Sequence, residues 1–410
     1  MNEPKIRFKG FRGEWEKVQL NSFAKRVTRK NSHLESTLAL TIASAHGLVS
    51  QIDYFNNLVV GSNISNYYLL KKGEFAYNKS YSNGYPFGSV KRLDKYEQGI
   101  LSTLYITFCI DDSISSDYLT HYFDTTLWHR DVAENAAEGA RNHGLLNISA
   151  EDFFKIKIVK PQSKAEQRAI ASYFQHLDSL IQSTTKKIES LKQVKAASLQ
   201  SMFPQEGETT PRVRFKGFEG EWEKKTLGDC LTINNERNQS NIYGINDVLS
   251  VSDEVGVVNQ IKLLGRSYAG KSVVNYRVLK TNQIVYTKSP LKSKPYGIIK
   301  VNKGDIGIVS VLYAVYDANE NVYPDYIHYY FEPIHRINNY LLPLINKGAK
   351  NTMNISDEMA LTGNIWIPSL EEQNTIANYF TTLDRQITLQ SQRLEKLKQI
   401  KAACLDKMFV

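Results

Sequence analysis

The chain contains one long unit twice, and that duplication limits its possible folds more than any other feature. Residues 4–20 read PKIRFKGFRGEWEKVQL and residues 211–227 read PRVRFKGFEGEWEKKTL, a match at an offset of 207 with 12 of 17 positions identical. Residues 167–203 match residues 373–409 at an offset of 206, with 18 of 37 identical. Both stretches carry Leu-Lys-Gln-(Val/Ile)-Lys-Ala-Ala and end in Met-Phe. A period this long means two domain-sized copies, since solenoids repeat every ~20–45 residues.

Weaker echoes keep the same order between these blocks. Gly47-Leu48-Val49-Ser50-Gln51 answers Gly256-Val257-Val258-Asn259-Gln260, and Tyr77-Asn78-Lys79-Ser80 answers Tyr286-Thr287-Lys288-Ser289. Pro86-Phe87-Gly88 pairs with Pro295-Tyr296-Gly297, and Asp117-Tyr118-Leu119 with Asp325-Tyr326-Ile327. Gly139-Ala140-Arg141-Asn142 matches Gly348-Ala349-Lys350-Asn351.

Each copy changes texture once. Its first ~160 residues alternate apolar and polar positions and are rich in Tyr, Val, Ile and Thr, which predicts an α+β domain. Residues 38–42, 100–110 and 306–315 read as strands. Residues 116–130 and 325–340 read as helical, the latter interrupted by Pro333. The repeated aromatics Phe8, Phe11 and Trp15, with Phe215, Phe218 and Trp222, read as packing that anchors each domain to its helix.

The last ~45 residues of each copy read as one long helix. Ser163-Lys164-Ala165-Glu166 follows Pro161, and Ser369-Leu370-Glu371-Glu372 follows Pro368; each is a Ser-x-x-Glu capping box. Ile170, Phe174, Leu177, Ile181, Ile188 and Leu191 then recur at coiled-coil spacing, as do Ile376, Phe380, Leu383, Ile387, Leu394 and Leu397. No Gly or Pro interrupts either run. At 1.5 Å per residue, ~37–40 residues make a rod of roughly 55–60 Å. Thr184 and Gln390 break the two stripes at equivalent positions, where a polar residue can fix register. Helices this long need a partner for the apolar face, and the economical partner is the helix of the other copy.

Composition excludes several classes. The chain is 42% hydrophobic and 23% charged, ordinary for a globular protein. It lacks a run of ~18 apolar residues and an apolar signal core at its start, so no membrane association is expected. Cys109, Cys230 and Cys404 have neither zinc nor disulfide-framework spacing, which fits a cytoplasmic location. The formal charge of +9 leans mildly towards a polyanionic partner.

Catalytic motifs are absent. There is no Gly-rich cofactor loop with a polar-Pro-Pro-aromatic motif, no zinc-deaminase pattern, no Gly-x-Ser-x-Gly and no His-Glu-x-x-His. Pro324-Asp325 lacks a suitably spaced Glu/Asp-x-Lys. Residues 265–272, GRSYAGKS, fit the P-loop pattern letter for letter. A P-loop must open a helix, whereas Val273-Val274-Asn275-Tyr276-Arg277-Val278 favours a strand. No metal or cofactor site is expected in this chain.

The repeated opening block and the Glu-Gln-x-x-Ile-Ala-x-Tyr-Phe-x-x-Leu-Asp helices resemble the specificity (S) subunits of type I restriction–modification enzymes, over essentially the whole chain. The resemblance implies a target-recognition domain over 1–160 and a central spacer helix over 161–206. A second recognition domain over 207–366 and a distal helix over 367–410 complete it. The helices would pack as an antiparallel coiled coil, making a pseudo-twofold scaffold. The implied role is non-catalytic: each domain reads one half of a bipartite site in double-stranded DNA, and the helices set the gap. Two methyltransferase (M) subunits using S-adenosylmethionine would dock on the scaffold, with two translocase (R) subunits using ATP and magnesium. The alternatives are a nucleotide-hydrolysing DNA enzyme built on residues 265–272, or a coiled-coil adaptor that binds only protein.

Arg, Lys, Asn, Gln, Ser and Thr beside Gly-containing loops are the candidate DNA contacts. In the first copy these are Lys79, Ser80, Tyr81, Asn83, Arg141, Asn142 and His143. In the second they are Arg266, Lys271, Lys288, Lys292, Lys294, Lys350 and Asn351. A cation kept in both copies, as at Arg141 and Lys350, suits phosphate better than a base, because the halves should differ in the sequence they read.

Overall fold

The computed structural model describes residues 3–44, 47–57, 61, 63–82, 84–136, 146–270, 272–291, 294–347 and 353–410. It forms two compact units, Met1–Thr185 with Gln392–Val410, and Lys186–Ser391. Each long helix therefore contributes to both: it starts in one unit and finishes in the other.

The first unit begins with β1 (Glu16–Gln19), β2 (Ala24–Arg26), the hairpin β3 (Leu40–Ala43) and β4 (Gly47–Ser50), and the short helix α1 (Gln51–Phe55). It continues through β5 (Tyr68–Lys71), β6 (Phe75–Asn78), β7 (Ser89–Arg92), β8 (Gln98–Leu101) and β9 (Ile106–Ile110). Helices α2 (Ser116–Tyr122), α3 (His129–Asn135) and α4 (Ala150–Phe153), strand β10 (Lys157–Lys160) and the long α5 (Lys164–Ser201) follow. The main sheet is antiparallel with order β2-β9-β6-β7, flanked by the pairs β1-β10, β3-β4 and β5-β8.

The second unit repeats this plan. Strands β11 (Glu223–Thr226), β12 (Leu231–Ile233), β13 (Leu249–Ser252) and β14 (Gly256–Asn259) lead into helix α6 (Gln260–Leu264). Then come β15 (Arg277–Leu279), β16 (Ile284–Tyr286), β17 (Ile299–Val301), β18 (Gly307–Val309) and β19 (Ala314–Ala318). Helices α7 (Pro324–Tyr330) and α8 (Ile334–Leu341) precede β20 (Asn346–Lys347), β21 (Met353–Asn354), β22 (Asn364–Ile367) and the long α9 (Leu370–Met408). The sheet order β12-β19-β16-β17 and the pairs β11-β22, β13-β14 and β15-β18 mirror the first unit strand for strand.

Two of the three expected strands prove to be pairs. Residues 100–110 turn between β8 and β9, where Tyr105 N–H donates to Ser102 O at 3.2 Å. Residues 306–315 turn between β18 and β19 in the same way, with Tyr313 N–H on Ser310 O at 3.0 Å. The apolar run hides both turns, because Leu104 and Leu312 sit at their tips, 61% and 66% exposed. The expected helix over 116–130 is likewise two helices, and α7 and α8 divide at Pro333, which has no N–H to continue α7 and instead precedes α8 in extended conformation.

Three of the echoes that keep their order in the sequence are framework contacts. Tyr77 Oη donates to Phe87 O, and Tyr286 Oη to Tyr296 O, both at 2.8 Å. Gly88 follows Phe87 at φ +77, and a Cβ there would lie 2.0 Å from Asn78 O, so only glycine fits. Tyr118 Oη caps Val159 O at 2.9 Å and Tyr326 Oη caps Trp366 O at 2.5 Å. The Met-Phe tails close the cores: Phe409 packs on Tyr118 and Phe174, and Phe203 on Tyr326 and Phe380.

The opening block is a clamp. Arg7 grips Glu166 with two bonds of 2.7 and 2.8 Å and also donates to Gly13 O and Arg12 O. Arg214 repeats every contact on Glu372, Gly220 O and Glu219 O. The turn that presents those carbonyls needs positive φ at Gly10 and Gly13, and at Gly217 and Gly220. Ser163 and Ser369 make the expected cap bonds to the amides of Glu166 and Glu372. The box is only half formed, because each glutamate side chain turns to the arginine instead. The adjacent glutamines complete the joint: Gln167 Oε1 accepts from Ser115 N–H at 2.7 Å, and Gln373 Oε1 from Tyr323 N–H at 3.0 Å.

A second polar joint ties the α2 and α7 ends to the helix pair. In the first unit Asp124 takes Lys91 at 2.7 Å and Lys401 at 3.7 Å, and Lys401 also takes Asp178 at 2.6 Å. In the second, Lys195 bridges Glu332 at 2.6 Å and Asp384 at 2.7 Å. Burial alone would raise the Asp124 carboxyl, but His121, Lys91 and Lys401 hold it well below the usual carboxylate range.

Two outcomes follow from these joints. Arg214→Met leaves the Glu372 carboxylate buried without its cation and costs about 3–5 kcal/mol; Arg214→Met with Glu372→Met recovers part of that loss, as read by urea unfolding. Because the Asp124 pKa is depressed on folding, its stabilisation is complete above about pH 5 and is lost as the pH falls through the ordinary carboxylate range towards the folded pKa. The stability difference between wild type and Asp124→Asn therefore shrinks between about pH 5 and pH 2. A difference that stays constant over that range would contradict the assignment.

Candidate nucleic-acid interface

The Gly-x-Val-(Ser/Asn)-Gln echo builds one small device in each unit: a hairpin strand running straight into a short helix. Ser50 Oγ caps α1 by accepting Asp53 N–H, and Asn259 Oδ1 caps α6 by accepting from Ile261 and Lys262 at 3.1 Å. Both helices end in a left-handed residue, Asn56 at φ +51 and Gly265 at φ +76, as αL caps require. Both helices expose apolar side chains beside one charge of opposite sign: Ile52, Tyr54 and Phe55 with Asp53 on α1, Leu263 and Leu264 with Lys262 on α6. The backbone plan is thus shared, and the side chains shown to solvent are not.

Beyond α6, Gln260 organises the next turn. Its Oε1 accepts Tyr268 N–H at 2.7 Å and Ser267 Oγ–H at 3.1 Å, and its Nε2 donates to Ser250 Oγ. The exposed Arg266 guanidinium lies 4.6 Å from the Tyr268 ring centroid. This geometry does not suit a P-loop. A helix precedes residues 265–272 instead of a strand, β15 follows instead of a helix, and the Tyr268 amide is already bonded.

The other described candidates divide into two groups. Lys79, Ser80 and Tyr81 lie in the loop after β6, with Tyr81 57% exposed, the Lys79 carbonyl accepting Leu146 N–H and the Ser80 amide bonded to Asn78 Oδ1. Lys288 and Lys294 point into the fold. Lys288 pairs with Asp357, which also takes Arg277 at 2.6 Å. Lys294 is 4% exposed, bonded to Asp253 at 2.7 Å and Glu332 O at 2.9 Å. Neither ammonium faces solvent as the loop composition suggested, because each neutralises a carboxylate distant in sequence. Lys300, missed in the sequence reading, is the second cation on Asp253 at 3.4 Å, and burial pushes its pKa down. Asn83, Arg141, Asn142, His143, Lys271, Lys292, Lys350 and Asn351 lie outside the described residues.

The helix-pairing positions gather within each unit. Ile170, Phe174 and Leu177 are buried in the first core, with Leu397 packed against it; Leu191, Ile376, Phe380 and Leu383 are buried in the second, with Ile387 against it. Ile188 and Thr184 are buried as well, while Ile181, Gln390 and Leu394 are half-buried. The strands of each helix pair run antiparallel: Tyr173 meets Cys404 and Asp178 meets Lys401, while Ser198 meets Tyr379 and Lys195 meets Asp384. That register sets Thr184 level with Leu394, and Gln390 level with Ile188.

Among the described residues, no cluster of three His, Cys, Asp or Glu could hold a metal ion, and no helix is long and apolar enough to cross a membrane. Burial pushes the Cys230 thiol up to about 11, which keeps it protonated and unreactive at neutral pH.

A duplicated α+β plan with paired long helices defines a class of scaffold whose exposed tips differ between two like halves. The chain has the fold of a type I restriction–modification S subunit. It superimposes on the crystal structure of the S subunit from M. genitalium with a TM-score of 0.57 at 13% identity, covering 100% of this chain and 99% of that one. A structure concerned with complex assembly and conformational transition of a type I system gives 0.48 at 14% identity, covering 96% and 97%. The HsdS subunit from Thermoanaerobacter tengcongensis gives 0.43 at 16% identity, covering 96% of each chain. No protein-family model matches the chain, and no curated protein matches it.

The burial of Lys294 has a direct consequence. Lys294→Met strands Asp253 beside a single cation and lowers the unfolding free energy by roughly 1–3 kcal/mol, a loss that urea titration detects. Wild-type stability in that variant would show that the ammonium is not part of the fold.

Proposed function

We propose that this chain is a DNA-sequence specificity subunit of a type I restriction–modification complex and performs no chemistry itself. The observation that carries the reading is the contrast between the halves. The Arg–Glu clamp, the glutamine joint, the tyrosine–carbonyl bonds and the Phe tails are duplicated in both halves, yet the exposed tips differ in charge and side-chain type. A protein reading two unlike half-sites from two like domains requires that combination, because base edges are discriminated by the side chains presented to them.

Each domain, 1–160 and 207–366, reads one half of a bipartite site in double-stranded DNA. The long helices set the gap between the two half-sites. Half-sites about one helical turn apart, ~34–36 Å, are within reach of a ~55–60 Å rod. Two methyltransferase subunits, supplying S-adenosylmethionine chemistry, dock on the repeated helices, and two ATP-dependent translocase subunits complete the complex. The match to an S-subunit fold over the whole chain supports this reading, as does the P-loop lookalike lacking the elements nucleotide binding needs.

Exchange of residues 1–160 for a different recognition domain, with methylated-base mapping in cells carrying the cognate methyltransferase, is the test. One half of the methylated motif changes and the other half and the gap persist. A change in both halves, or in neither, contradicts the assignment.

A further inference from the structure

The charged groups of the second recognition domain are mostly neutralised within the fold. Arg277 and Lys288 share Asp357, Lys294 and Lys300 share Asp253, Lys280 takes Glu236, and Lys303 takes Asp325. Lys262 and Arg266, like Lys216, Lys224 and Arg237, meet no carboxylate among the described residues. Lys262 and Arg266 stand four apart, on α6 and in the turn that follows it, beside the exposed Leu263 and Leu264. Uncompensated cation and exposed aliphatic surface thus coincide on one small element.

That element is also held rigid. The αL cap at Gly265, the Asn259 cap and the two bonds to Gln260 Oε1 fix the backbone from 259 to 268. The Tyr268 ring lies at cation–π distance from the guanidinium, and among the described residues no carboxylate or carbonyl takes the donor edge of Arg266. A planar donor edge presented on a fixed support loses little entropy on binding and matches the paired acceptors O6 and N7 of guanine in the major groove. The corresponding stretch of the first copy, residues 56–63, contains no Arg or Lys. The feature therefore belongs to one half only, as a base reader must and a shared phosphate clamp need not.

We propose that α6 with the turn through Tyr268 is the base-reading element of the second domain, and that Arg266, braced by Tyr268, recognises a guanine in that half-site. This rests on the specificity-subunit reading and names the residue that sets one position of its motif. Lys262, on the same element, supplies a phosphate contact and so no sequence information.

The test is methylated-base mapping of the full chain with its cognate methyltransferase in cells, comparing wild type, Arg266→Ala, Tyr268→Ala, Tyr268→Phe and Lys262→Ala. Arg266→Ala is expected to make one G·C position in one half degenerate, with discrimination there falling about tenfold or more, while the other half stays strict. Tyr268→Ala relaxes the same position, and Tyr268→Phe, which keeps the ring, retains the wild-type motif. Lys262→Ala lowers methylation uniformly and leaves the motif intact. An unchanged motif in Arg266→Ala, whether at full or reduced methylation, overturns the assignment; reduced methylation alone would make Arg266 a phosphate contact. Relaxation in both halves would equally overturn it, pointing to a general loss of fit. A wild-type chain that directs no bipartite motif would instead overturn the specificity-subunit reading itself. The intact second half in the variants serves as the control for folding.

Discussion

Each unit depends on one buried ion pair. Arg7 and Glu166, or Arg214 and Glu372, join the entry of the β-rich domain to the first turn of its long helix, with the glutamate only 2% or 1% exposed. A carboxylate this deep would be costly alone, so the arginine, its two glycine-shaped carbonyl contacts and the helix start are mutually required. The neighbouring glutamine then bonds the segment leading into α2 or α7, so three pieces distant in sequence meet at one helix end. A bidentate guanidinium–carboxylate joint also fixes direction, which a purely apolar contact would not.

The duplication separates framework from display. Tyr77, Tyr118 and their counterparts Tyr286 and Tyr326 spend their hydroxyls on backbone carbonyls, and Phe203 and Phe409 fill the cores. Side chains that make such contacts cannot change without loss of packing or an unsatisfied buried polar group. The tips after each hairpin carry no such constraint beyond their caps, and there the copies diverge from Asp53, Tyr54 and Phe55 to Lys262, Leu263 and Leu264. Differences in what is displayed are tolerated because the elements displaying it are fixed elsewhere.

Much of this was legible in advance. The long helices were readable because heptad spacing, caps and absent breakers all agree over ~37–40 residues. The strands were less so: an unbroken apolar run conceals a turn when its tip residue is itself apolar, as at Leu104 and Leu312. The candidate contacts fared unevenly for a similar reason. Composition marks Lys288 and Lys294 as loop cations just as it marks Arg266, and only the fold reveals that Asp357 and Asp253 reach the first two.

The sequence by itself determined the repeat, the α+β texture of each copy, the helix length and the polar breaks at Thr184 and Gln390, because these follow from local periodicity and from comparing the chain with itself. The tertiary structure alone decided which glutamate serves Arg7 instead of its cap, how the helix strands register within each unit, and which cations remain unpaired. Those outcomes depend on groups tens to hundreds of residues apart. A charge is neutralised by whatever the fold places within a few ångströms, and no spacing along the chain encodes that distance.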